Sequence, residues 1–177
     1  YLERLIKCFR YKNTMAIVSE IKKRHSIRQY KSKKVSKELI NELLKAAMFA
    51  PSAKNQRCWE FIVTDNTKQL LDLTPYTLPL KTAPHAIIVI GDKNKSNHWI
   101  EDCSAAVENI LLQATKLGLG TCWVNMYKSG DEKLRKIMSI PNNFEILCAI
   151  SVGYPDRKKS DHLDKEFEKQ KIHYEKF

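Results

Sequence analysis

The stretch that decides the fold is WIEDCSAAVENILLQATKLGLGTCWV, residues 99–124. Its apolar residues recur at helical spacing around a broad face, so we predict a central buried helix over Trp99–Leu117. Gly118 and Gly120 end that helix, because glycine is the commonest residue just past a helix C-terminus. The run Thr121–Met126 is rich in β-formers and predicts a strand. A buried helix that leads into a strand indicates a core made of helices packed on a sheet.

Further strands and helices alternate on both sides of this stretch. The hydrophobic period predicts strands at Trp59–Thr64, His85–Gly91 and Phe144–Gly153, and helices at Met15–Arg24, Ser36–Met48, Lys68–Leu73 and Asp131–Met138. The three prolines of Thr74–Pro84 predict a long loop. Alternation of this kind predicts an α/β sheet covered on both faces. The polar stretch Asp156–Phe177 cannot make its own core, so we expect an arm or an edge strand that lies on another surface.

Length and composition exclude several classes of protein. The 177 residues, 43% of them apolar, suit one domain with a closed core. Uncharged apolar runs reach only about ten residues where a membrane-spanning helix needs roughly 20, and no apolar secretion signal opens the chain, so we predict a cytoplasmic protein with no membrane partner. The 5 cysteines form no C-x-x-C pair, and we expect neither structural disulfides nor a zinc site.

Positive charge is concentrated near the N-terminus. The net charge is +11, and residues 1–45 hold 13 basic but only 4 acidic side chains. This surplus indicates an anionic partner, which charge alone leaves open among nucleic acid, an acidic membrane surface and a phosphorylated small molecule. A non-catalytic nucleic-acid binder is disfavoured because Tyr30 is the only aromatic residue between Tyr11 and Phe49, so no stacking platform accompanies the cations.

The first candidate binding motif is RHSIR, residues 24–28. Arg24 and Arg28 carry permanent charges that bind oxyanions in a bidentate manner, and His25 and Ser26 add two further polar groups. Together they suit a terminal phosphate. The alternative is a basic helix end that complements the helix dipole.

Two other motifs suit a flat polar ligand. The loop APSAKNQRCW, residues 50–59, presents the Ser52 hydroxyl and the amides of Asn55 and Gln56, which can bond the rim of a heterocycle. The glycine pair in GLGTCWV, residues 118–124, permits close approach of a ring to the backbone. Turn formation and helix capping are the alternative roles. The glycine pair is no Rossmann fingerprint, because it follows a helix instead of preceding one.

The order RHSIR, APSAxN, GLGTCWV and then GYP leading into RKKS resembles the nitroreductase family of flavoproteins over Met15–Lys159. The resemblance implies an α+β fold: a three-layer α-β-α sandwich with a central mixed sheet and a C-terminal arm exchanged in a homodimer. It also implies one FMN in each of two shared sites. The family domain would occupy residues 15–177, which leaves residues 1–14 as an N-terminal extension or a cloning artefact.

The resemblance also assigns roles to residues at matching positions. Family members hold the FMN phosphate and ribityl chain from one subunit, and the matching residues are Arg24, His25, Ser26 and Arg28. The other subunit reaches the flavin ring, and the matching residues are Pro51, Ser52 and Asn55, while the Leu119–Gly120 backbone would face the ring. Asp161 stands where the family often has a basic residue, so Arg157 or Lys159 would supply that charge.

The implied function is an FMN-dependent oxidoreductase that moves hydride from NAD(P)H through flavin N5 to nitroaromatic, quinone or related small-molecule acceptors. Such ping-pong chemistry needs no catalytic side chain. The histidines show no metal-ligand spacing, and Asp102 and Glu108 share no helix face that would pair them. A flavin-using relative that processes its flavin or dehalogenates a substrate is the alternative enzyme. The acceptor and the choice between NADH and NADPH stay open.

Overall fold

A computed structural model describes residues 17–126 and 131–177. The possible extension 1–14 and the first two residues of the predicted Met15–Arg24 helix lie outside the described residues. The helices in the described ranges are α1 (Ser19–Lys23), α2 (Lys37–Met48), α3 (Trp99–Lys116) and α4 (Asp131–Met138). The strands there are β1 (Trp59–Thr64), β2 (His85–Asp92), β3 (Gly120–Asn125) and β4 (Phe144–Gly153). These bounds confirm the sequence prediction for most elements.

The four strands form one sheet in the order β1-β2-β4-β3, and every neighbouring pair is antiparallel. Within the described residues, parallel pairing is limited to a single isolated bridge, which joins Ser26 to Thr121 of β3. The predicted mixed sheet is therefore wrong for these strands. The connection between β1 and β2 contains only short 3-10 turns, whereas parallel neighbours are usually joined by a helix that crosses over the sheet. The fold is α+β.

Both faces of the sheet are covered, as predicted. Ile87 and Val89 of β2 pack with α2 and α3, whereas the alternate residues Ile88 and Ile90 pack with Leu134 of α4. Side chains of a strand alternate between the two faces, so β2 has to be apolar on both. This explains its unbroken apolar sequence.

Helix α3 is the central helix and sets the position of the site. It packs against α2 and the sheet, and its 18 residues span about 27 Å. Gly118, with φ 71°, ends it in the left-handed conformation, and the Leu119 N–H donates to Ala114 O at 2.8 Å. The predicted glycine cap is confirmed at Gly118, whereas Gly120 already belongs to β3.

Three peripheral segments differ from the prediction. The expected helix Lys68–Leu73 is a 3-10 turn at Thr67–Leu70, since so short a segment cannot offset the cost of helix nucleation. The loop Thr74–Pro84 contains a further 3-10 turn at Leu78–Lys81. Residues 156–177 form 3-10 turns and no edge strand, and their apolar residues are exposed: Leu163, Phe167, Ile172, Tyr174 and Phe177. In the described parts of the chain, the helices are all too short or too polar to cross a membrane.

Candidate functional site

The segment Arg24–Arg28 runs in extended conformation beside β3. Helix α1 ends at Arg24, whose φ of −67° and ψ of 123° turn the chain into an extended path. The Ile27 N–H donates to Thr121 O at 2.8 Å, and this bond docks the segment on the sheet. Alternate side chains of an extended chain point the same way. Ser26 and Arg28 therefore share a face, as do His25 and Ile27 on the other side.

Gly120 makes this docking possible. A Cβ atom built on Gly120 would lie 2.8–2.9 Å from side-chain atoms of Ile27. Any side chain at position 120 would push Ile27 away from β3, because real Cβ atoms do not approach other atoms so closely. The glycine thus serves the approach of a protein segment, and the ring-facing role expected for the Leu119–Gly120 backbone stays a prediction.

A buried tyrosine fixes the other end of the segment. The Tyr30 hydroxyl donates to Ile27 O at 2.6 Å and lies 2.7 Å from Ser151 Oγ on β4. Burial raises the pKa of the Tyr30 phenol well above its usual range, so the phenol keeps its proton and donates. The Ser151 hydroxyl then supplies the second hydrogen bond. The conformation of residues 27–30 is thereby tied to the core of the sheet.

A basic cleft opens beside this segment, and we call it the phosphate cleft. It combines four cations with two hydroxyl groups: Arg28, Lys81, Arg157, Lys159, Ser26 and Thr82. Lys159 Nζ donates to Ser26 O at 3.2 Å, which joins the C-terminal arm to RHSIR. Among the residues described, no carboxylate lines this cleft. Guanidinium, ammonium and hydroxyl groups together form a donor set that fits the phosphate monoester of FMN.

Cys122 on β3 shows how closely the predicted residues converge. Burial raises the pKa of its thiol, while the charges of Arg28, Lys159 and Arg24 and a hydrogen bond with Ser26 act in the opposite direction. All four groups are therefore near one buried sulfur atom. The sequence analysis did not place Cys122 at the site; its position one residue after Thr121 could indicate this only once the Ser26–Thr121 bridge is known.

A second basic cleft lies next to the first and shares Arg157 and Lys159 with it. Its lining includes His25, Leu119 and Asp161. The carboxylate of Asp161, which sequence analysis expected to repel a phosphate, thus lines the second cleft and is not among the residues that line the phosphate cleft. The same is true of His25 and Leu119. The structure brings Ser26, Arg28, Arg157 and Lys159 together, and it places His25 and Leu119 beside them.

A pair of histidines fastens the C-terminal arm to RHSIR. The rings of His25 and His162 stack with centroids 4.2 Å apart, and His25 Nε2 donates to Ser160 O at 2.7 Å. The His162 backbone N–H donates to Lys22 O at 2.9 Å. These contacts hold Lys159 against the phosphate cleft. The sequence analysis found no metal-ligand spacing for His162 and missed this role.

The His162 ring lies between two hydrogen-bond acceptors. Its Nδ1 lies 2.7 Å from Glu166 Oε2, and its Nε2 lies 3.1 Å from Arg24 O. The Leu163 backbone N–H and His162 lower the pKa of the Glu166 carboxyl, which keeps it ionised. A carboxylate and a carbonyl oxygen can only accept hydrogen bonds. The His162 ring thus lies between Glu166 on the arm and the backbone of Arg24 at the end of α1.

Arg24 lies at the edge of the site. Its Nε is 3.9 Å from Glu108 Oε1 on α3, and it lines a groove with Ile21 and Phe167 that is separate from the phosphate cleft. Burial raises the pKa of the Glu108 carboxyl, and the Arg24 charge acts against that rise. The Arg24 side chain is thus engaged with α3, although its charge reaches Cys122.

Pro51, Ser52 and Asn55 belong to a loop, residues 51–57, that lines neither basic cleft. Asp102 in the first turn of α3 binds the loop, whereas Thr115, near the other end of that helix, lines the second cleft. Asp102 and Thr115 are 13 positions apart on this helix, which corresponds to about 20 Å along its axis. One chain therefore keeps the two predicted halves of the site apart.

Three features of the phosphate cleft were missed by the sequence analysis. Lys81 and Thr82 come from the loop Thr74–Pro84, which showed no motif, and the Thr82 hydroxyl accepts from the Tyr30 N–H at 3.2 Å. The third is Cys122, which does not line the cleft but lies beside it on β3, where the Arg28 and Lys159 charges act on its thiol. No local sequence signal marks these residues, because the folding of the loop over β2 and β4 brings them to the cleft.

Comparison with known proteins gives the family. A family model described as "Putative TM nitroreductase" matches residues 16–176. A "Putative NADH dehydrogenase/NAD(P)H nitroreductase" of Archaeoglobus fulgidus is 39% identical over 87% of this chain and 94% of its own. The solved FMN-dependent nitroreductase of Clostridium difficile R20291 superposes with a TM-score of 0.85 at 39% identity, over 91% of this chain and all (100%) of the other.

A third match was solved with the cofactor bound. It is the Desulfovibrio desulfuricans structure described as "a putative nitroreductase in complex with FMN", with a TM-score of 0.75 and 27% identity over 89% of this chain and 95% of the other. The α+β fold, the order of the motifs and the basic cleft, whose described lining residues include no carboxylate, are consistent with membership of the same family. The chain belongs to the nitroreductase family of oxidoreductases.

Proposed function

We propose that this protein is an FMN-dependent oxidoreductase that uses NAD(P)H to reduce nitroaromatic, quinone or related small-molecule acceptors. The observation that carries the proposal is the phosphate cleft, in which Arg28, Lys81, Arg157 and Lys159 meet Ser26 without an opposing carboxylate among the described lining residues. FMN, when bound, supplies the capacity to accept and return a hydride.

The chain's own residues bind and orient in this proposal. Arg28 and Lys159 neutralise the phosphate, and Ser26 adds a hydroxyl donor. The hydrogen bonds of Tyr30 keep this group rigid, so little ordering cost is left for binding. Cys58, Cys103 and Cys148 are buried, and burial raises the pKa of each thiol, which leaves them poor nucleophiles at neutral pH.

We further propose that the working unit is a homodimer. About 20 Å separate the loop 51–57 from the second cleft within one chain, so a second copy is needed to complete a site that uses both. Exposed apolar residues offer a surface for that copy, and they lie on or just before α1 and on the arm: Ile17, Ile21, Leu163 and Phe167. Sedimentation should show a flavin-loaded dimer; a stable flavin-loaded monomer would contradict the shared site.

The deciding experiment is an absorbance spectrum of the purified protein. We expect a yellow protein with about one noncovalent FMN per chain. Anaerobic titration with NADH and NADPH should then bleach the flavin and identify the preferred donor. A colourless protein that binds nucleic acid would instead support the non-enzymatic alternative, and release of halide from a halogenated aromatic would support the dehalogenating relative.

Initial-rate kinetics test the use of one pocket by two substrates. If NAD(P)H and the acceptor enter the same cleft in turn, the first product leaves before the second substrate binds. Double-reciprocal plots should therefore give parallel lines, and intersecting lines would exclude a single shared pocket. We also propose a cytoplasmic location, for which fractionation of cells is the test.

A further inference from the structure

The loop 51–57 has an unusual backbone. Three of its non-glycine residues have positive φ: Lys54 at 51°, Asn55 at 55° and Arg57 at 47°. The left-handed region is energetically unfavourable for an ordinary residue relative to the right-handed one, with asparagine the mildest case. Such a loop keeps its shape only if contacts outside it determine that shape.

Asp102 on the first turn of α3 provides those contacts. Its Oδ1 accepts from the Ala53 N–H at 2.8 Å. Its Oδ2 accepts from the Ser96 hydroxyl at 2.8 Å and lies 3.5 Å from Cys58 Sγ. The residue is 5% exposed, and the donors on this carboxylate are neutral groups.

Cys58 closes the network at the end of the loop. Burial, and then the hydrogen bond to Asp102, raise the pKa of the Cys58 thiol to about 11, so the thiol keeps the proton that it shares with Oδ2. The Cys58 carbonyl also accepts from the Asp92 N–H at 2.8 Å. Asp102 thus contacts the loop at both ends, through Ala53 at the start and Cys58 just after it.

Ser52, the residue before Ala53, holds the interior of the loop through two hydrogen bonds. Ser52 O accepts from the Asn55 N–H at 2.9 Å, and Ser52 Oγ accepts from the Arg57 N–H at 3.0 Å. Asn55 Oδ1 in turn accepts from Arg57 Nε at 3.1 Å. Fixing the Ala53 amide therefore fixes Ser52, and Ser52 fixes Asn55 and Arg57.

We propose that Asp102 is a positioning residue that holds the loop 51–57 in its left-handed shape before any cofactor binds. In this role the carboxylate presents Ser52 and Asn55 in one orientation and lowers the ordering cost of flavin binding. The inference rests on the proposed function, because it takes the flavin ring as the ligand that the loop meets.

The test compares two variants that break the same bond from opposite sides. Asp102→Ala removes the acceptor. Ala53→Pro removes the donor at a first helical position that tolerates proline, since the preceding Ser52 already has an extended φ of −145° and ψ of 153°. Asp102→Asn keeps an acceptor oxygen and serves as the conservative rescue. Glu101→Ala, at an exposed neighbour on the same turn, is the matched control.

Hydrogen exchange in the flavin-free protein is the first readout. We expect exchange at the Asn55 and Arg57 amides to rise at least tenfold in Asp102→Ala and Ala53→Pro. In Asp102→Asn and Glu101→Ala it should stay within about threefold of the wild type. FMN titration is the second readout, with the dissociation constant expected to rise at least tenfold in the first two variants and little in the others.

Two results would overturn the inference: wild-type exchange in both bond-breaking variants, or faster exchange with unchanged FMN affinity. If Asp102→Ala does not fold, Ala53→Pro and Asp102→Asn still decide the matter. A wild-type protein that binds no FMN would overturn the proposed function instead, and the exchange comparison would still show whether Asp102 shapes the loop.

Discussion

The two predicted halves of the site are built in opposite ways. The segment 24–28 has ordinary extended backbone bonded to β3, and its positive side chains carry its chemistry. The loop 51–57 has left-handed backbone bonded to a buried carboxylate, and its shape carries its chemistry. A conformation of low energy needs only a place to dock, whereas a conformation of high energy needs contacts that select it. Substitutions in the first half should therefore weaken FMN binding by removing positive charge, and substitutions in the second half should weaken it by changing the conformation of the loop.

The largest expected effect is a loss of charge in the first half. Arg28→Ala should weaken FMN binding by roughly 1.5–3 kcal/mol, the usual worth of a charge-assisted hydrogen bond, or about 10- to 150-fold. Titration of the flavin-free protein measures this. Lys68→Ala, at an exposed residue that lines neither cleft, is the control. Unchanged affinity in the Arg28 variant would refute the assignment of the phosphate cleft.

The next prediction tests whether the close packing of Ile27 against β3 is what holds the segment 24–28 in place. Gly120→Ala places a Cβ atom 2.8 Å from Ile27, so we expect the free energy of unfolding to fall by roughly 1–3 kcal/mol and FMN to bind more weakly. Urea unfolding and flavin titration measure both.

Gly118→Ala is the matched control for this change. Its Cβ would meet no atom within 4 Å, although φ is 71° there. We expect only the backbone cost, about 1 kcal/mol, and unchanged FMN affinity. Equal loss of affinity in the two variants would show that the docking of Ile27 is not what matters.

A smaller effect concerns the hydroxyl that fixes the segment to the core. Tyr30→Phe leaves Ile27 O and Ser151 without their partner and should lower the free energy of unfolding by roughly 1–2 kcal/mol. Burial raises the pKa of Tyr30 in the folded state. The stability that this adds is fully present below the ordinary tyrosine pKa of about 10 and is lost as the pH rises above it.

Urea unfolding at pH 8 and near pH 10.5 tests this dependence of stability on pH. The wild type should lose stability between the two conditions, and Tyr30→Phe should lose less. Tyr76→Phe, at a residue that is 65% exposed, should behave as the wild type at both values. Identical alkaline losses in the wild type and Tyr30→Phe would contradict the buried phenol as their source.

The smallest effect is expected at the buried thiols. Cys122→Ser and Cys58→Ser each keep a hydrogen-bond donor of similar size, so turnover should stay within about tenfold, a change in barrier below roughly 1.4 kcal/mol. Steady-state kinetics on flavin-loaded variants measure this. Loss of turnover with FMN still bound would point to a redox thiol and to a different chemistry.

Local patterns predicted the elements well. The predicted bounds of β1, α4 and β4 match the structure residue for residue, because each lies between residues that break the pattern, such as Gly153 at the end of β4. Ser36 caps α2, as expected, by accepting from the Leu39 N–H. The strand order was not predictable in this way, since pairing of β2 with β4 joins residues about 60 positions apart.

The candidate site likewise contains residues that local sequence could identify and residues that only the fold could identify. RHSIR could be recognised as a candidate phosphate-binding group because charged and hydroxyl side chains can bind an anion whatever fold surrounds them. Asp102 could not be recognised as the anchor of the loop, because the sequence analysis asked only whether it pairs with Glu108 and found that it does not. Its role depends on a contact with Ala53, 49 residues away.

Composition and periodicity were thus enough to establish a covered sheet, a central helix and a basic N-terminal segment, since each follows from side-chain chemistry or from the period of a local element. The antiparallel strand order, the closing of the cleft by Lys81 and Lys159, the attachment of the arm through His162 and the left-handed loop on Asp102 were settled only in three dimensions. Each of these depends on contacts between residues distant in the chain, and such contacts form only where the whole core lowers the free energy enough to offset the entropy of closing long loops.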